Sequence, residues 1–131
     1  MRVLLAARDL PFLESVQSGL WDLGHEAEIA ADGLECSTVL RYFVPDLVVL
    51  ECDLLWGGSD GIMALMRGDP ELAGIPVLLI TSNERNPQRQ SSSGNPRVAG
   101  WLRKPFGLSD LVPHLRHAGQ TNRLLSPHGG I

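Results

Sequence analysis

Leu47-Val48-Val49-Leu50 is the most apolar stretch of this chain, and it decides the fold. The run is short and uninterrupted, and Pro45-Asp46 stands directly before it. A parallel strand that is covered by helices on both faces is typically a continuous apolar run, because both of its faces are buried. The stretch therefore predicts the central strand of a parallel sheet.

Apolar runs of strand length alternate with amphipathic segments of helix length. The runs predict further strands at residues 3–7, 26–30, 76–80 and 99–102. Helix ends are marked by Pro11 and Gly24 for the first helix, Asp32 with Glu35 as a capping box for the second, Asp60 and Gly68 for the third, and Ser109 for the last. Right-handed crossovers turn this β-α alternation into an open, doubly wound parallel sheet with helices on both faces.

One repeat is abnormal. Residues 83–96 contain two prolines and a serine run without apolar periodicity, so we expect a degenerate fourth helix of a turn or two, or a loop. The polar segment 119–131 is expected to be a flexible tail, which leaves one domain over residues 1–118 and no output domain behind it.

Composition limits the class of protein. The 131 residues are 44% hydrophobic and 20% charged, as in a globular domain with one core. The net charge of −4 argues against nucleic acid or an anionic membrane as partner, since both favour a basic face. No apolar run approaches the roughly 20 residues that span a bilayer. Two cysteines are too few for a disulfide framework, and we expect a cytoplasmic protein.

The carboxyl ends of the predicted strands are the expected place for a site. Ligands of doubly wound sheets bind beyond these ends, in the crevice where the strand order reverses. That rule selects Ala7-Arg8-Asp9, Glu51-Cys52-Asp53, Thr81-Ser82 and Arg103-Lys104-Pro105, and these four loops are expected to converge.

Several motifs resemble those of one signalling family. They are Gly24-His25-Glu26, Ala31-Asp32-Gly33, Pro45-Asp46-Leu47-Val48-Val49-Leu50, Asp60-Gly61 and Lys104-Pro105-Phe106. In this order and spacing, residues 1–118 resemble the receiver domains of two-component response regulators. The resemblance implies a five-stranded sheet of flavodoxin-like topology and a role in phosphorelay signalling rather than classical enzyme activity.

The resemblance also implies a phosphoacceptor pocket. A working receiver uses an aspartate as acceptor, an acidic pair that holds Mg²⁺, a hydroxyl and a lysine. By position, the hydroxyl falls on Thr81 and the lysine on Lys104, whereas the acidic pair falls on Ala7 and Arg8 and the acceptor on Glu51.

These departures predict a pseudo-receiver. Ala7 supplies no oxygen, and Arg8 brings a permanent positive charge to the place of the cation. Glu51 is longer than aspartate by one methylene, roughly 1.5 Å, and phosphoryl transfer depends on positioning. We therefore expect Arg8 to replace Mg²⁺ as the counter-ion of Glu51, with Lys104 as second donor, and no metal or other cofactor.

An alternative stays open from the sequence. If the third strand slips by two residues, Asp53 becomes the phosphoacceptor and Asp9 a lone metal ligand, with Mg²⁺ as cofactor. Such a slip preserves which side chains face each side of the sheet, so periodicity does not exclude it.

Two tryptophans are candidates for partner binding. Trp101 takes the position of the family's switch aromatic, as a contact residue or a half-buried core residue, and Trp56 lies in a loop at the crevice mouth. The resulting prediction is a stand-alone signalling protein that works by protein binding, with a signalling protein or a histidine-kinase-related protein as partner. The hypothesis of a flavodoxin-like protein that binds a small ligand has less support. Such a protein would have a glycine-rich phosphate loop after the first strand, and Arg8-Asp9-Leu10-Pro11 is not one. The oligomeric state is not indicated.

Overall fold

A computed structural model describes residues 1–54, 58–81, 98–104 and 106–125 of the chain, with side chains up to Ala118. The elements, in chain order, are β1 (Arg2–Ala6), α1 (Leu10–Asp22), β2 (Glu26–Ala30), α2 (Gly33–Phe43), β3 (Leu47–Glu51), α3 (Gly58–Arg67), β4 (Val77–Thr81), β5 (Val98–Arg103) and the last helix, α4 (Leu108–Leu125). The predicted degenerate fourth helix falls in residues 82–97, outside the described residues.

The described strands form one parallel sheet. Its order is β2-β1-β3-β4-β5, so β3 lies at the centre with every residue buried. The central position predicted for Leu47-Val48-Val49-Leu50 is confirmed. The order reverses between β1 and β3, which puts the crevice at the carboxyl ends of these two strands.

Two apolar clusters cover the two faces of the sheet. Successive side chains of a strand point to opposite faces, and the neighbours Val48 and Val49 accordingly belong to different clusters. The first cluster joins β1, β3 and β4 to α2 and α3, and the second joins the same strands to α1 and α4. This two-faced burial explains why the central strands are apolar without interruption.

Caps at the helix ends follow the predicted polar residues in α1 and α2. Asp32 accepts a hydrogen bond from the backbone N–H of Glu35 at 2.9 Å, and the Glu35 carboxylate accepts one from the N–H of Ala31 at 2.7 Å. This pair of bonds confirms the predicted cap of α2. Asp9 caps α1 by accepting from the N–H of Phe12 at 3.2 Å, a role that the sequence analysis did not assign to it.

Helix α3 begins at Gly58, two residues before Asp60, near which its start was predicted. The predicted ends of α4 are wrong in two places. Ser109 lies inside α4 instead of capping it, because the N–H of Gly107 donates to the carboxylate of Asp110 at 2.8 Å and closes the first turn one step earlier. Helix α4 also continues to Leu125, so the residue at which the tail was predicted to start, Gly119, is helical.

A bulge in β5 brings the last helix close to the sheet. The register shifts between Val77 and Leu78, which pair with Val98 and Gly100, so Ala99 is an extra residue. Because of this insertion, Val98 packs against the first cluster while Gly100 faces Leu78 and α4. A Cβ atom on Gly100 would lie 3.0 Å from His114 Cε1 and 3.1 Å from Leu78 Cδ2.

Gly100→Ala is therefore expected to lower the free energy of unfolding by about 1–3 kcal/mol, since the added methyl group overpacks the contact between β5 and α4. Urea unfolding measures the change.

The matched control is Gly61→Ala, because nothing lies within 4 Å of a Cβ atom at this helical position. It should raise the same free energy by about 0.5–1 kcal/mol through helix propensity. Equal effects of the two variants would contradict the close approach at Gly100.

Candidate functional site

The carboxyl ends of β1, β3, β4 and β5 meet at one edge of the sheet, where the sequence analysis placed its site. The N–H of Cys52 donates to Ile80 O at 3.0 Å, which holds the end of β3 against β4. The N–H of Lys104 donates to Thr81 O, also at 3.0 Å, which holds the end of β5 against β4. These backbone bonds fix the positions from which the site side chains extend.

Glu51 is the buried acid of this edge. It is the last residue of β3, and only 5% of its side chain is exposed. A buried carboxylate must be hydrogen-bonded and charge-paired to be tolerated. Lys104 Nζ bonds to Oε2, the backbone N–H of Arg8 donates to Oε1 at 2.9 Å, and Arg8 Nε lies 3.7 Å from Oε1. Both carboxylate oxygens are therefore engaged, and we call Glu51, Arg8 and Lys104 the charge triad.

The two cations of the triad differ in their environment. The side chain of Lys104 is 35% exposed and that of Arg8 is 52% exposed. Arg8 contributes its backbone N–H regardless of its side chain, whereas Lys104 contributes only its ammonium group. Lys104 is therefore the stronger side-chain partner of Glu51, and the half-exposed guanidinium adds a weaker, solvent-screened attraction.

The net electrostatic effect on Glu51 keeps it ionised. Burial raises the pKa of the carboxyl group, but the hydrogen bonds from Lys104 and from the Arg8 N–H act in the opposite direction, together with the positive charges of both residues. These contacts outweigh burial and bring the pKa of Glu51 below its usual value. At neutral pH the triad thus holds one negative and two positive charges.

These residues do not form a suitable site for Mg²⁺. The ion requires a near-octahedral set of oxygens, whereas Ala7 offers only a buried methyl group and Arg8 directs a cation at the carboxylate. Within residues 1–54, 58–81, 98–104 and 106–118, no group of three or more His, Cys, Asp or Glu side chains is placed to hold a metal.

The residues of the alternative pocket lie at the same edge of the sheet. Asp53 is exposed in the turn that follows β3, and Asp9 is exposed at the start of α1. Thr81 is 2% exposed at the end of β4. The register pairs Glu51 with Ile80, so it is Glu51 that β3 presents to Lys104.

The two tryptophans give different outcomes. Trp101 is half-buried and packs against the first apolar cluster, which is the placement expected of a half-buried core residue. Trp56 lies outside the described residues, together with Leu55 and Gly57. Their partner-binding roles stay predictions.

A cavity beside the triad was not predicted. It has a volume of about 140 Å³ and is lined by Ala7, Asp9, Phe12 and Lys104. The Phe12 ring meets the Phe106 ring edge-to-face, with centroids 5.0 Å apart. The available signal was the pair of a small residue after β1 and an aromatic residue in the first turn of α1, but their contact depends on the tertiary fold.

Curated proteins with similar sequences are signalling proteins. "Response regulator MprA" of Mycobacterium avium (strain 104) is 28% identical over 123 residues, which are 88% of this chain and 50% of that protein. "Hybrid signal transduction histidine kinase D" of Dictyostelium discoideum is 27% identical over 110 residues, 84% of this chain and 7% of that protein. The chain thus spans half of the regulator and a small part of the kinase. No family model matches it.

Solved structures decide the fold. Chemotaxis response regulator CheY4 of Vibrio cholerae superposes with a TM-score of 0.78 at 24% identity, covering 89% of this chain and 97% of that one. The receiver domain of Francisella response regulator 1452 gives 0.78 at 16% identity, with 92% and 98% covered.

The chain has the receiver fold. The predicted flavodoxin-like receiver topology is confirmed. The names of the curated relatives add support for a response-regulator receiver domain. In the described part of the chain, no helix combines the length and apolarity needed to cross a membrane.

The triad makes the stability of the folded chain depend on pH. Glu51→Gln keeps the shape of the side chain and removes its charge, so we expect the free energy of unfolding at neutral pH to fall by about 1–3 kcal/mol. The folded-state pKa of Glu51 is lowered, so the wild type keeps this contribution above the ordinary glutamate value of 4.5 and loses it as the pH falls through the folded value. Urea unfolding of the wild type and of Glu51→Gln, measured from neutral pH into acid, should show free energies of unfolding that converge as the pH falls.

Arg8→Met is the control for this experiment, because it keeps the backbone N–H and removes only a half-exposed guanidinium. Its cost should stay below about 1 kcal/mol. A difference between wild type and Glu51→Gln that does not change with pH would contradict the charge triad.

Proposed function

We propose that this receiver domain is a phosphorylation-independent signalling module that acts through protein contacts, with its crevice held in one charge-paired state. The single observation that carries the proposal is the bond between Lys104 and Glu51. In this arrangement the acid at the end of the central strand already has its cations, and both belong to the chain itself.

Phosphoryl transfer to Glu51 is opposed by the occupancy of its carboxylate. A nucleophile needs an oxygen free to attack in line, with a cation that neutralises the transferring group. Oε2 is bonded to Lys104 and Oε1 accepts from the Arg8 N–H. Attack through either oxygen would take place beside these bonds, in a buried site where cations of the chain already neutralise the carboxylate. The extra methylene of glutamate adds a displacement of roughly 1.5 Å.

The partner is a protein of signal transduction, such as a histidine-kinase-related protein. The names of the regulator and the hybrid kinase that the chain resembles support this choice. The resemblance to receivers points to the face built from β5 and the last helix. On this face the bulge exposes Ala99, and Trp101 stands half-buried two residues later.

The test of phosphorylation independence is incubation with acetyl phosphate and Mg²⁺, followed by intact mass measurement. The expected spectrum contains the unmodified mass alone. Ala7→Asp/Arg8→Asp/Glu51→Asp is the positive control, since it restores the acidic residues that the resemblance assigns to these positions, and it should gain a phosphoryl group.

The variant Asp53→Asn tests the alternative that Asp53 is the phosphoacceptor. Asp53 is exposed beside the crevice, so labelling of the wild type that disappears in Asp53→Asn would identify it as the acceptor and refute the proposal. Titration with beryllofluoride and Mg²⁺ is a second measurement, in which the amide NMR spectrum of the wild type should not change.

The binding face can be tested once the partner has been captured by crosslinking in cells. Ala99→Glu places a charge on the exposed bulge and should weaken binding by about tenfold or more, because a desolvated, unpaired charge is costly at an interface. Leu34→Glu is the matched control, as Leu34 is 60% exposed on α2, and it should leave the affinity unchanged. The opposite ranking would place the interface on α2.

A further inference from the structure

The cavity beside the charge triad has the size of a small apolar group. Its volume is about 140 Å³, and a cavity of about 150 Å³ with apolar walls accommodates benzene. The space is available because position 7 carries only a methyl group, and Ala7 is 1% exposed. Glu51 is not among the lining residues, so an occupant of the cavity does not compete for the carboxylate.

The aromatic wall of the cavity is held in place. Phe12 stands in the first turn of α1, and its ring meets Phe106 at an interplanar angle of 87°. Phe106 is 7% exposed and belongs to the second apolar cluster. A wall supported in this way is preorganised, which lowers the entropic cost of binding.

Two side chains of opposite charge complete the lining. The ammonium group of Lys104 has three N–H donors, and the bond to Glu51 uses one of them. The carboxylate of Asp9 accepts from the Phe12 N–H through Oδ1, and a carboxylate offers about four acceptor positions in all. Within the described residues, these bonds use one of the three donors of Lys104 and one of the acceptor positions of Asp9.

We propose that this cavity binds a small zwitterion with an apolar side chain, of the chemical class of the apolar α-amino acids. The side chain enters between Ala7 and Phe12, the α-ammonium group bonds to Asp9, and the α-carboxylate bonds to the ammonium group of Lys104. This assignment does not rest on the proposed function, because it requires neither the presence nor the absence of phosphorylation.

Single-charge ligands match the lining less well. An amine would bond to Asp9 but bring no carboxylate to Lys104. A carboxylate would bond to Lys104 but bring no ammonium group to Asp9. The size of the cavity favours side chains near that of benzene, such as those of leucine and phenylalanine, and leaves glycine without apolar contact.

The experiment is an amide NMR titration of the full chain with leucine, phenylalanine and glycine. Leucine and phenylalanine should produce saturable shifts at Ala7, Asp9 and Phe12 at millimolar concentration, and glycine should not. Isoamylamine and 4-methylpentanoate are leucine analogues that lack the carboxylate and the ammonium group, and each should bind about tenfold more weakly because it loses one charge-assisted bond. Absence of saturable shifts, or an analogue that binds as tightly as leucine, would overturn the proposal.

Asp9→Asn tests the ammonium contact within the same fold, since asparagine is an equally good helix cap. It should weaken leucine binding by about tenfold and leave the affinity for 4-methylpentanoate the same or higher. Asp46→Asn is the matched control, because Asp46 accepts from the Arg2 N–H at the opposite end of the sheet. It should bind leucine as the wild type does.

Ala7→Leu fills the cavity and should abolish the shifts. If this variant does not fold, Asp9→Asn still decides, because equal leucine affinities of Asp9→Asn and the wild type would refute the assignment.

Discussion

Neutralising one buried carboxylate is the constraint on which the crevice depends. Glu51 ends the central strand, and its charge is tolerated only because groups from both sides of β3 reach it. Arg8 comes from the neighbouring strand β1, whereas Lys104 comes from β5, on the far side of β4. The side chain of Lys104 thus crosses the end of β4 and links strands that share no backbone hydrogen bond. This single charge adds a side-chain link between β3 and β5 to the backbone bonds that hold both strand ends against β4.

Most of the fold could be predicted because strands that are buried on both faces are continuous apolar runs in the sequence. Leu47-Val48-Val49-Leu50 is apolar throughout, and the alternation of such runs with helices restricts the topology strongly. The errors lie where short-range geometry decides. Gly107 and Asp110 close the first turn of α4, which no pattern of apolar residues records. The extra residue Ala99 depends on how β5 pairs with β4, and pairing is a tertiary property.

The site was predictable to the extent that position alone determines it. Arg8, Glu51 and Lys104 follow strands that are parallel, so topology brings them together whatever lies between them in sequence. The cavity was not predictable in this way. It depends on Phe12 and Phe106, from opposite ends of the chain, meeting edge-to-face. It also depends on the side chain of Lys104, which lines the cavity and bonds to Glu51 in the triad. Residue spacing in the sequence does not predict that one side chain has both contacts.

Under the proposed function, the cations of the crevice are side chains of the chain rather than a metal ion. A site that can bind and release a cation or a phosphoryl group exists in two states, with and without that group. A signal can be transmitted by the change from one state to the other. The guanidinium of Arg8 and the ammonium of Lys104 are covalently attached, so the charge triad has one composition at neutral pH. In the proposed phosphorylation-independent module, a variable input can act at a group that the triad shares with its surroundings. Lys104 is such a group, since its ammonium holds Glu51 while its side chain lines the cavity. A ligand bonded to Lys104 there would alter the strength of the Lys104–Glu51 contact without displacing it.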